Sequence, residues 1–436
     1  MTTLSQDPIP ADDIVRGQTL SPASVANVRR RLRPLYVAGF FLGINFWVPV
    51  EKLFLSKIGF DAATIGLLAA TYAAVVPFLE IPSGILADRW SRRGVLIIAD
   101  VALAASALVG GASTNVSMYL VAALLLGCYF ALQSGMADSI IYDVLVEETG
   151  SSDGFEREMG RLRLLEGVAL VSSALAGGVI AALTTPRVTY FLTVPFAALA
   201  IAALSRLKEP GLHRADDVEP LRRQITTTYK TIVERGRLRP IIVAMVLCAL
   251  LLQMLLEFGP LWMVALAAPA VLYGPQWAGL MSAMGLGGSL AGRLSTARRS
   301  NLVAMVAIML ACSLTLTTSH NAVGVIAAQV VLALLLVAVS TQLTRQLHDA
   351  IPSSIRAGVS SGVGTLTWMT FVPSALGFGL LSRHAGVLTA GWMVVALTAA
   401  TGLSLCHLAF GRRPAVASKA RQALTTLTMP SIVKVD

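Results

Sequence analysis

A chain of 436 residues that is 55% hydrophobic and only 13% charged has too little polar surface for a water-soluble globular protein. Its mean hydropathy of +0.72 indicates an integral membrane protein. The formal net charge of +10 does not require nucleic acid as a partner, because basic loops that face anionic inner-leaflet lipid account for it.

The first 33 residues are polar and end in a basic run that includes Arg29, Arg30, Arg31 and Arg33. No apolar stretch precedes these arginines, so residues 1–33 are predicted to be a cytoplasmic tail and not a cleavable signal peptide.

Twelve apolar segments follow, each close to the roughly 20 residues that a membrane-spanning helix needs. They lie near 35–55, 62–84, 95–113, 117–140, 163–183, 189–205, 241–264, 275–293, 301–318, 322–344, 357–382 and 387–409. The sequence therefore predicts an all-α integral membrane protein with twelve transmembrane helices.

The basic residues predict the orientation, because Lys and Arg stay on the cytoplasmic side of short loops. Lys52, Lys57, Arg187 and Arg383 fall outside, which leaves 30 of the 34 basic residues inside (34 − 4). Both termini are predicted to be cytoplasmic, in a multi-pass protein of the plasma or inner membrane.

One long polar loop, 208–239, divides the spans into six and six. The predicted organisation is an N-terminal bundle at 34–207, this central loop, a C-terminal bundle at 240–410 and a cytoplasmic tail at 411–436. Leu221, Ile225 and Tyr229 recur at helical spacing within the loop. They predict a basic amphipathic helix on the inner leaflet, with a solvated linker helix as the alternative.

The most informative polar segment follows the second span and reads Gly84-Ile-Leu-Ala-Asp88-Arg89-Trp-Ser-Arg92-Arg93. It is too short to fold alone, so other cytoplasmic helix ends must neutralise its charges. Asp88 would gain about 0.3 to 1 kcal/mol at the N-terminus of a helix that starts on that side, such as span 11. A role for the arginines in topology alone is the alternative.

We call the residues predicted to form this conformational latch the gate set. Its members are Gly84, Asp88, Arg89, Arg92, Arg93, Asp143 and Arg161. Asp143, at the inner end of span 4, is the expected partner of Arg92 or Arg93.

Six spans plus six, a long basic central loop and Gly-x-Leu-Ala-Asp-Arg-x-x-Arg-Arg after span 2 together resemble the major facilitator superfamily, over about residues 34–410. Ser91 stands where that family usually has glycine. The resemblance implies two bundles that rock about a central cavity, with the loop holding the outward-open state closed on the cytoplasmic side. It also implies a monomer.

The segment from Gln133 to Leu145 looks like one shared by many bacterial exporters of drugs or metabolites. Tyr129 and Phe130 stand about where proton-driven drug exporters carry a buried arginine, and Gly177 and Gly178 lack the usual preceding Gly-Pro. The resemblance of the segment favours efflux and these two departures weaken it, so efflux is the first hypothesis and uptake by the same fold is the alternative.

Ionisable side chains inside a span are costly and usually face a cavity or a partner. Glu80 lies about 12 Å inward from Asp88, and Pro82 loosens the helix beside it. It is either a proton or substrate site or a structural acid.

Glu257 and Glu51 come next, at an offset of 206 that supports a repeat and a pathway between the halves. A lysine pair at the outer interface is the alternative for Glu51.

Neutral polar and aromatic side chains complete the candidate pathway for an amphipathic organic substrate. They are Asn45, Trp47, Gln133, Gln253, Gln329 and Trp368. Three acids nearer the inner ends, Asp100, Asp138 and Glu166, are expected to pair with Arg161 or Arg163.

No zinc-protease motif, phosphate-binding glycine loop or nucleotide-binding motif occurs in the sequence. We therefore predict no catalytic site, no metal and no cofactor, and a membrane enzyme or an ATP-driven pump is disfavoured. The leading hypothesis is a secondary active transporter in the lipid bilayer that uses protons to export a small amphipathic organic compound. A sensor that keeps the fold without transport remains open.

Overall fold

The computed structural model of the chain describes residues 22–133, 136–151, 154–210, 238–291, 294, 298–350 and 356–410. Within these ranges it does not describe the side chains of 22–23, 25, 76–78, 80–85, 88–89, 156, 356–358, 360–361 and 410. The predicted amphipathic helix at 221–235 lies outside the described residues. We call 22–210 the first half and 238–410 the second half.

The described part of the chain contains fourteen α-helices. They are α1 Pro22–Leu42, α2 Glu51–Lys57, α3 Ala62–Arg89, α4 Arg92–Ala112, α5 Val116–Gln133, α6 Met136–Thr149, α7 Phe155–Leu183, α8 Pro186–Leu204, α9 Arg239–Ala265, α10 Tyr273–Leu290, α11 Arg299–Thr318, α12 Ala322–Ala350, α13 Arg356–Ala385 and α14 Val387–Phe410.

Each of the twelve predicted spans coincides with helix, and the predicted all-α membrane fold is confirmed. Within the described residues, nine helices are long and apolar enough to cross a membrane, and Ala62–Val75 is a shorter apolar helix. The first span combines α1 and α2, and the fourth combines α5 and α6.

Helix α1 starts at Pro22, before the predicted end of the tail at residue 33. Its basic segment has acidic partners on α6, since Arg31 lies 2.7 Å from a carboxylate oxygen of Glu148 and 3.1 Å from one of Glu147. These ion pairs extend the ordered helix into the segment that the sequence predicts to be a tail.

The turn between α3 and α4 is only two residues long, Trp90 and Ser91. Ser91 has extended backbone and its hydroxyl accepts a hydrogen bond from the Gly94 N–H at 2.8 Å, so it caps α4. This capping explains how serine serves at the position where the family usually has glycine.

The first half meets the second half where α3 packs against α13 and α7 packs against α10. The closest approach involves glycines: a Cβ on Gly379 would lie 2.8 Å from the Ala62 carbonyl oxygen and 3.1 Å from the Gly66 Cα. On α10, a Cβ on Gly274 would lie 2.7 Å from the Ala174 carbonyl oxygen. Both contacts lie toward the ends of α3 and α7 that are remote from the Trp90–Ser91 turn, which we call the outer end.

Candidate functional site

A cavity of about 320 Å³ lies between the two halves. Most of its lining is apolar and comes from α3, α4, α5 and α9, with aromatic rings that include Trp47 and Trp277. The charged side chains that line it, among those the structure describes, are Glu51 from the first half and Glu257 from the second. A cavity of this size and composition suits a small organic molecule.

Beside this cavity the ammonium of Lys52 bridges the two acids. Its nitrogen lies 2.8 Å from a Glu51 oxygen and 2.5 Å from a Glu257 oxygen, and the Lys52 side chain is only 5% exposed. Removing an ammonium from water costs several kcal/mol, which only close partners offset. We call Glu51, Lys52 and Glu257 the charged triad; it joins α2 of the first half to α9 of the second.

Tyrosine hydroxyls provide further partners for both carboxylates of the charged triad. Tyr72 donates a hydrogen bond to Glu257, and Tyr119 donates one to Glu51 at 2.7 Å. The Tyr119 and Tyr190 hydroxyls are 2.9 Å apart, and the Tyr190 ring stacks on Trp47. Each acid therefore has both an ammonium and a phenol as donors.

A break in the first span places Glu51 and Lys52 on a short helix of their own. After α1 the chain unwinds and passes through a 3₁₀ turn, Val48–Val50, into α2. The Asn45 N–H donates to the Ser173 hydroxyl at 3.1 Å, and the Phe46 N–H donates to the Thr193 hydroxyl at 3.2 Å. These partners from α7 and α8 satisfy the irregular backbone at membrane depth.

Five residues predicted from the sequence line this one cavity: Glu51, Glu257, Asn45, Trp47 and Gln253. For Glu51, the alternative was a lysine partner from another helix at the outer interface; the structure shows a lysine partner, but it is the adjacent Lys52 of the same helix, and that lysine is buried.

The structure places Gln133, Gln329 and Trp368 outside the cavity lining. Gln329 is fully buried, accepts a hydrogen bond from the Gln276 amide at 2.8 Å and donates one to the Gly259 carbonyl at 3.1 Å. Trp368 packs edge to face on Phe371. Gln329 and Trp368 are therefore held by packing within the second half and do not contact the cavity.

Sequence reasoning missed Lys52 and the tyrosines. The sequence predicts an outer, water-exposed Lys52, because this lysine lies at the end of an apolar segment. The available signal was an acid and a base side by side in a segment that is otherwise apolar.

The gate set is described in part. Arg92 forms an ion pair with Asp143, the partner expected from the sequence. The Arg93 guanidinium donates to the Leu207 carbonyl at 3.0 Å. Gly84, Asp88 and Arg89 of this set, and Glu80 above them, have side chains outside the description.

Arg161 does not reach the α3–α4 turn. Its guanidinium binds the buried carboxylate of Glu158 at 2.8 Å, and Glu158 also accepts a 2.7 Å hydrogen bond from the Tyr36 hydroxyl. Arg161 thus helps to hold α1 against α7, a contact within the first half.

The three acids nearer the inner ends, Asp100, Asp138 and Glu166, differ in whether they have an ion-pair partner. Arg163 pairs with Glu166 at 3.0 Å and with Asp138 at 3.6 Å, as expected. Asp100 is fully buried, and neither of its carboxylate oxygens has a hydrogen-bond partner in the described part of the chain. The expected ion pair of Asp100 with an arginine is therefore wrong.

A second charged contact joins the halves at the outer end. The Arg383 guanidinium at the end of α13 lies 3.2 Å from the Asp61 carboxylate, which caps α3. The Thr64 backbone N–H donates to Asp61 at 2.8 Å, and this hydrogen bond is the main cause that lowers the pKa of that carboxyl. Asp61 therefore stays ionised and available to Arg383 in mildly acidic surroundings.

Among the described residues, no group of His, Cys, Asp and Glu side chains is arranged to hold a metal ion.

Comparison with known proteins identifies the family of this chain. A family model described as Major Facilitator Superfamily matches residues 35–368. The probable nitrate transporter NarT of Staphylococcus haemolyticus is 23% identical over 107 residues, which are 24% of this chain and 28% of that relative. The chain therefore aligns with little more than a quarter of the length of this curated relative.

Two solved structures share the fold over most of their length. The nucleoside transporter NupG matches with a TM-score of 0.71 at 12% identity, covering 89% of this chain and 100% of that one. The D-xylose-proton symporter matches with a TM-score of 0.60 at 13% identity, covering 88% of this chain and 97% of that one.

Proposed function

This chain belongs to the major facilitator superfamily, and on that premise we propose that it is a proton-coupled exporter of small amphipathic organic compounds. It is a multi-pass membrane transporter and not an enzyme. The observation that carries the proposal is the charged triad, because it places titratable groups where the cavity meets the junction of the two halves.

Alternating access is the proposed mechanism. The two halves are joined at the outer end by the Gly66–Gly379 contact, the Asp61–Arg383 ion pair and the Lys52–Glu257 ion pair. With the outer end closed in this way, substrate would enter the cavity from the opposite side. Substrate release to the outside requires these contacts to separate.

The proton would act on the charged triad. With both acids ionised, the triad carries a net charge of −1, and Lys52 is bound to both halves. A proton on Glu257 removes the attraction that spans the halves while leaving Lys52 its partner Glu51. Breaking a buried ion pair destabilises the state that contains it by about 3–5 kcal/mol. That approaches the roughly 5.5 kcal/mol needed to move a two-state equilibrium from 1:99 to 99:1.

The direction of coupling follows from the effect of the proton on the Lys52–Glu257 ion pair. A proton favours separation of the outer end, and loss of the proton favours its closure. An acidic exterior would therefore hold the outer end open while substrate leaves, and release of the proton toward the cytoplasm would let the outer end close and return the cavity to the inside. That exchange is antiport, in which the substrate leaves as the proton enters.

The cavity supports an amphipathic substrate and does not favour an anion. Its lining is mainly apolar and aromatic, and its described charged groups are both acids. Nitrate would be repelled by Glu51 and Glu257, so the partial likeness to NarT does not bring a nitrate substrate to this chain.

The gate set would act at the other end of the cycle. We place it on the cytoplasmic side of the inner membrane, together with both termini and the central loop. The Arg92–Asp143 ion pair fixes the start of α4 to α6 within the first half. Asp88 is the member proposed to reach the second half when the cytoplasmic end closes.

Inside-out membrane vesicles that contain the full chain test this proposal. We expect an acidic lumen to drive uptake of amphipathic fluorescent dyes such as ethidium and Hoechst 33342, because the lumen corresponds to the cell exterior. Glu257→Gln should abolish the dependence on the proton gradient. Glu147→Gln, which changes a more exposed glutamate on α6, is the matched control and should behave as wild type.

Two results would contradict the proposal. Flux in the wild type that ignores the proton gradient would exclude proton coupling. Gradient-driven flux in the reverse direction would show uptake in place of export.

A further inference from the structure

Asp100 is a buried acid that the mechanism above does not use. It lies on α4, eight residues after Arg92, and is 0% exposed. Both carboxylate oxygens lack a hydrogen-bond partner in the described part of the chain. Its neighbours on α4, Ala99 and Leu103, belong to a small apolar cluster with Tyr129 of α5.

An ionised carboxylate could not be kept in these surroundings. Burying an isolated charge in an apolar medium costs so much that the group binds a proton and becomes neutral. At other buried acids of this protein the cost is offset: Glu257 has Lys52 and Tyr72, and Glu158 has Arg161 and Tyr36. Asp100 has no such donor among the described residues, and a protonated carboxyl group is the form that these surroundings favour.

Asp100 lies next to the cavity without opening into it. Leu103 and Ser106, three and six residues further along α4, both line the cavity, and the step from Asp100 to Leu103 is about 4.5 Å along the helix axis. Tyr129, which packs with the α4 neighbours of Asp100 in the small apolar cluster, also lines the cavity. Asp100 is therefore separated from the cavity by residues that themselves line it.

Apart from Cys128, the other described ionisable groups on the helices that pack against α4 have partners of their own. Tyr119 bonds to Tyr190, Tyr72 to Glu257, Asp143 to Arg92, Asp138 to Arg163, Arg187 to the Ser113 carbonyl, and Glu147 and Glu148 to Arg31. Cys128 is half-buried and Tyr142 packs on Phe155. On α3, the side chains of Glu80, Asp88 and Arg89 lie outside the description.

We propose that Asp100 is a further proton-binding site of the transport cycle, separate from the charged triad and located in the first half. The ligand is a single proton, since the carboxyl group is 0% exposed and borders an apolar cluster. Asp100 would hold the proton while sealed and release it when movement of α4 exposes the carboxyl group to the cavity. The inference rests on the proton coupling proposed above.

Infrared spectroscopy of the purified full-length protein tests the first step. We expect wild type at neutral pH to show a protonated carboxylic acid band that is absent from Asp100→Asn. Asp138→Asn, which changes a half-exposed acid on α6, is the matched control and should retain the band. If wild type and Asp100→Asn have the same carboxylic acid bands, Asp100 is ionised and the proposal is wrong.

A transport assay tests the second step, because a purely structural role of Asp100 would not separate gradient-driven accumulation from exchange without a gradient. The asparagine of Asp100→Asn has nearly the size and shape of a protonated, uncharged aspartic acid. Substrate exchange without a proton gradient should therefore continue at the wild-type rate. Gradient-driven accumulation should fall by about tenfold, within the usual range of coupling between two sites. Equal gradient-driven accumulation in wild type and Asp100→Asn would overturn the inference.

The two proposals fail in different ways. Gradient-independent flux in the wild type would remove the proton coupling itself. A wild type that responds to the gradient, together with an Asp100→Asn variant that responds equally, would remove only the role of Asp100.

Discussion

The Lys52 side chain is 5% exposed, and its two partners, Glu51 and Glu257, are 16% and 10% exposed. At this burial the three charges depend on one another. Loss of Lys52 would leave two carboxylates without a cation, whereas loss of either acid leaves Lys52 with a single counter-charge. The triad is therefore a structural element of the closed outer end as well as the proposed point of proton action.

Replacing Lys52 should show this dependence directly. Lys52→Met keeps much of the side-chain volume but leaves two carboxylates without a cation, so we expect the free energy of unfolding to fall by about 3–5 kcal/mol. Denaturant unfolding of the purified protein measures it. Lys57→Met alters an exposed lysine of the same helix and should change stability by less than about 0.5 kcal/mol.

A double variant separates charge from packing. Lys52→Met combined with Glu257→Gln removes one of the unpaired charges and should recover part of the lost stability. If Lys52→Met is as stable as Lys57→Met, the triad is not an energetically important ion cluster.

Whether a site residue could be predicted from the sequence depends on how unusual its side chain is within a transmembrane helix. Glu51, Glu257 and Gln253 could be selected because acids and amides are rare and costly in apolar helices. Tyr72 and Tyr119 could not, since a tyrosine in a span is ordinary packing until its hydroxyl is seen to bond an acid.

Among the helices, the α3–α13 contact has the least tolerance for added volume. Gly379 approaches backbone atoms of α3, namely the Ala62 carbonyl oxygen and the Gly66 Cα. Backbone atoms cannot rotate away as a flexible side chain can. Glycine at this position is therefore a condition for closing the outer end.

Gly379→Ala should oppose that closure. The added methyl group would lie 2.8 Å from the Ala62 carbonyl oxygen, and overpacking of this kind costs about 1–3 kcal/mol. We expect slower dye transport in inside-out vesicles. Gly377→Ala, two residues earlier on the same helix, meets no atom within 4 Å and is the matched control. Equal transport by the two variants would show that close α3–α13 packing does not limit the cycle.

The sequence could predict the helices but not the break in the first one. Length and hydropathy over 35–55 indicate a continuous span, whereas the structure has α1, an unwound segment and α2. The partners that stabilise the unwound backbone, Ser173 and Thr193, lie about 130 and 150 residues further along the chain. No local pattern contains such a long-range contact, although the break determines where Glu51 and Lys52 lie.

Across the whole molecule, the family and its two-bundle membrane fold were predictable because the loop motif after the second span and the hydropathy pattern are local. The conformational state was not, because it depends on which end of the two halves is joined. Here the joined end holds Gly66 against Gly379, Asp61 against Arg383 and Lys52 against Glu257. A proton that weakens the last of these contacts would change the shape of the whole molecule.

Spin-label distances across the outer end as a function of pH test this central claim most directly. Leu183 at the end of α7 and Val323 at the start of α12 are exposed positions in opposite halves, suitable for labelled cysteines in a chain whose four natural cysteines are replaced. We predict that acidification lengthens the Leu183–Val323 label distance, and that Glu257→Gln, which mimics the protonated acid, gives the long distance at every pH. A distance that stays short in acid and in Glu257→Gln would contradict proton-driven opening.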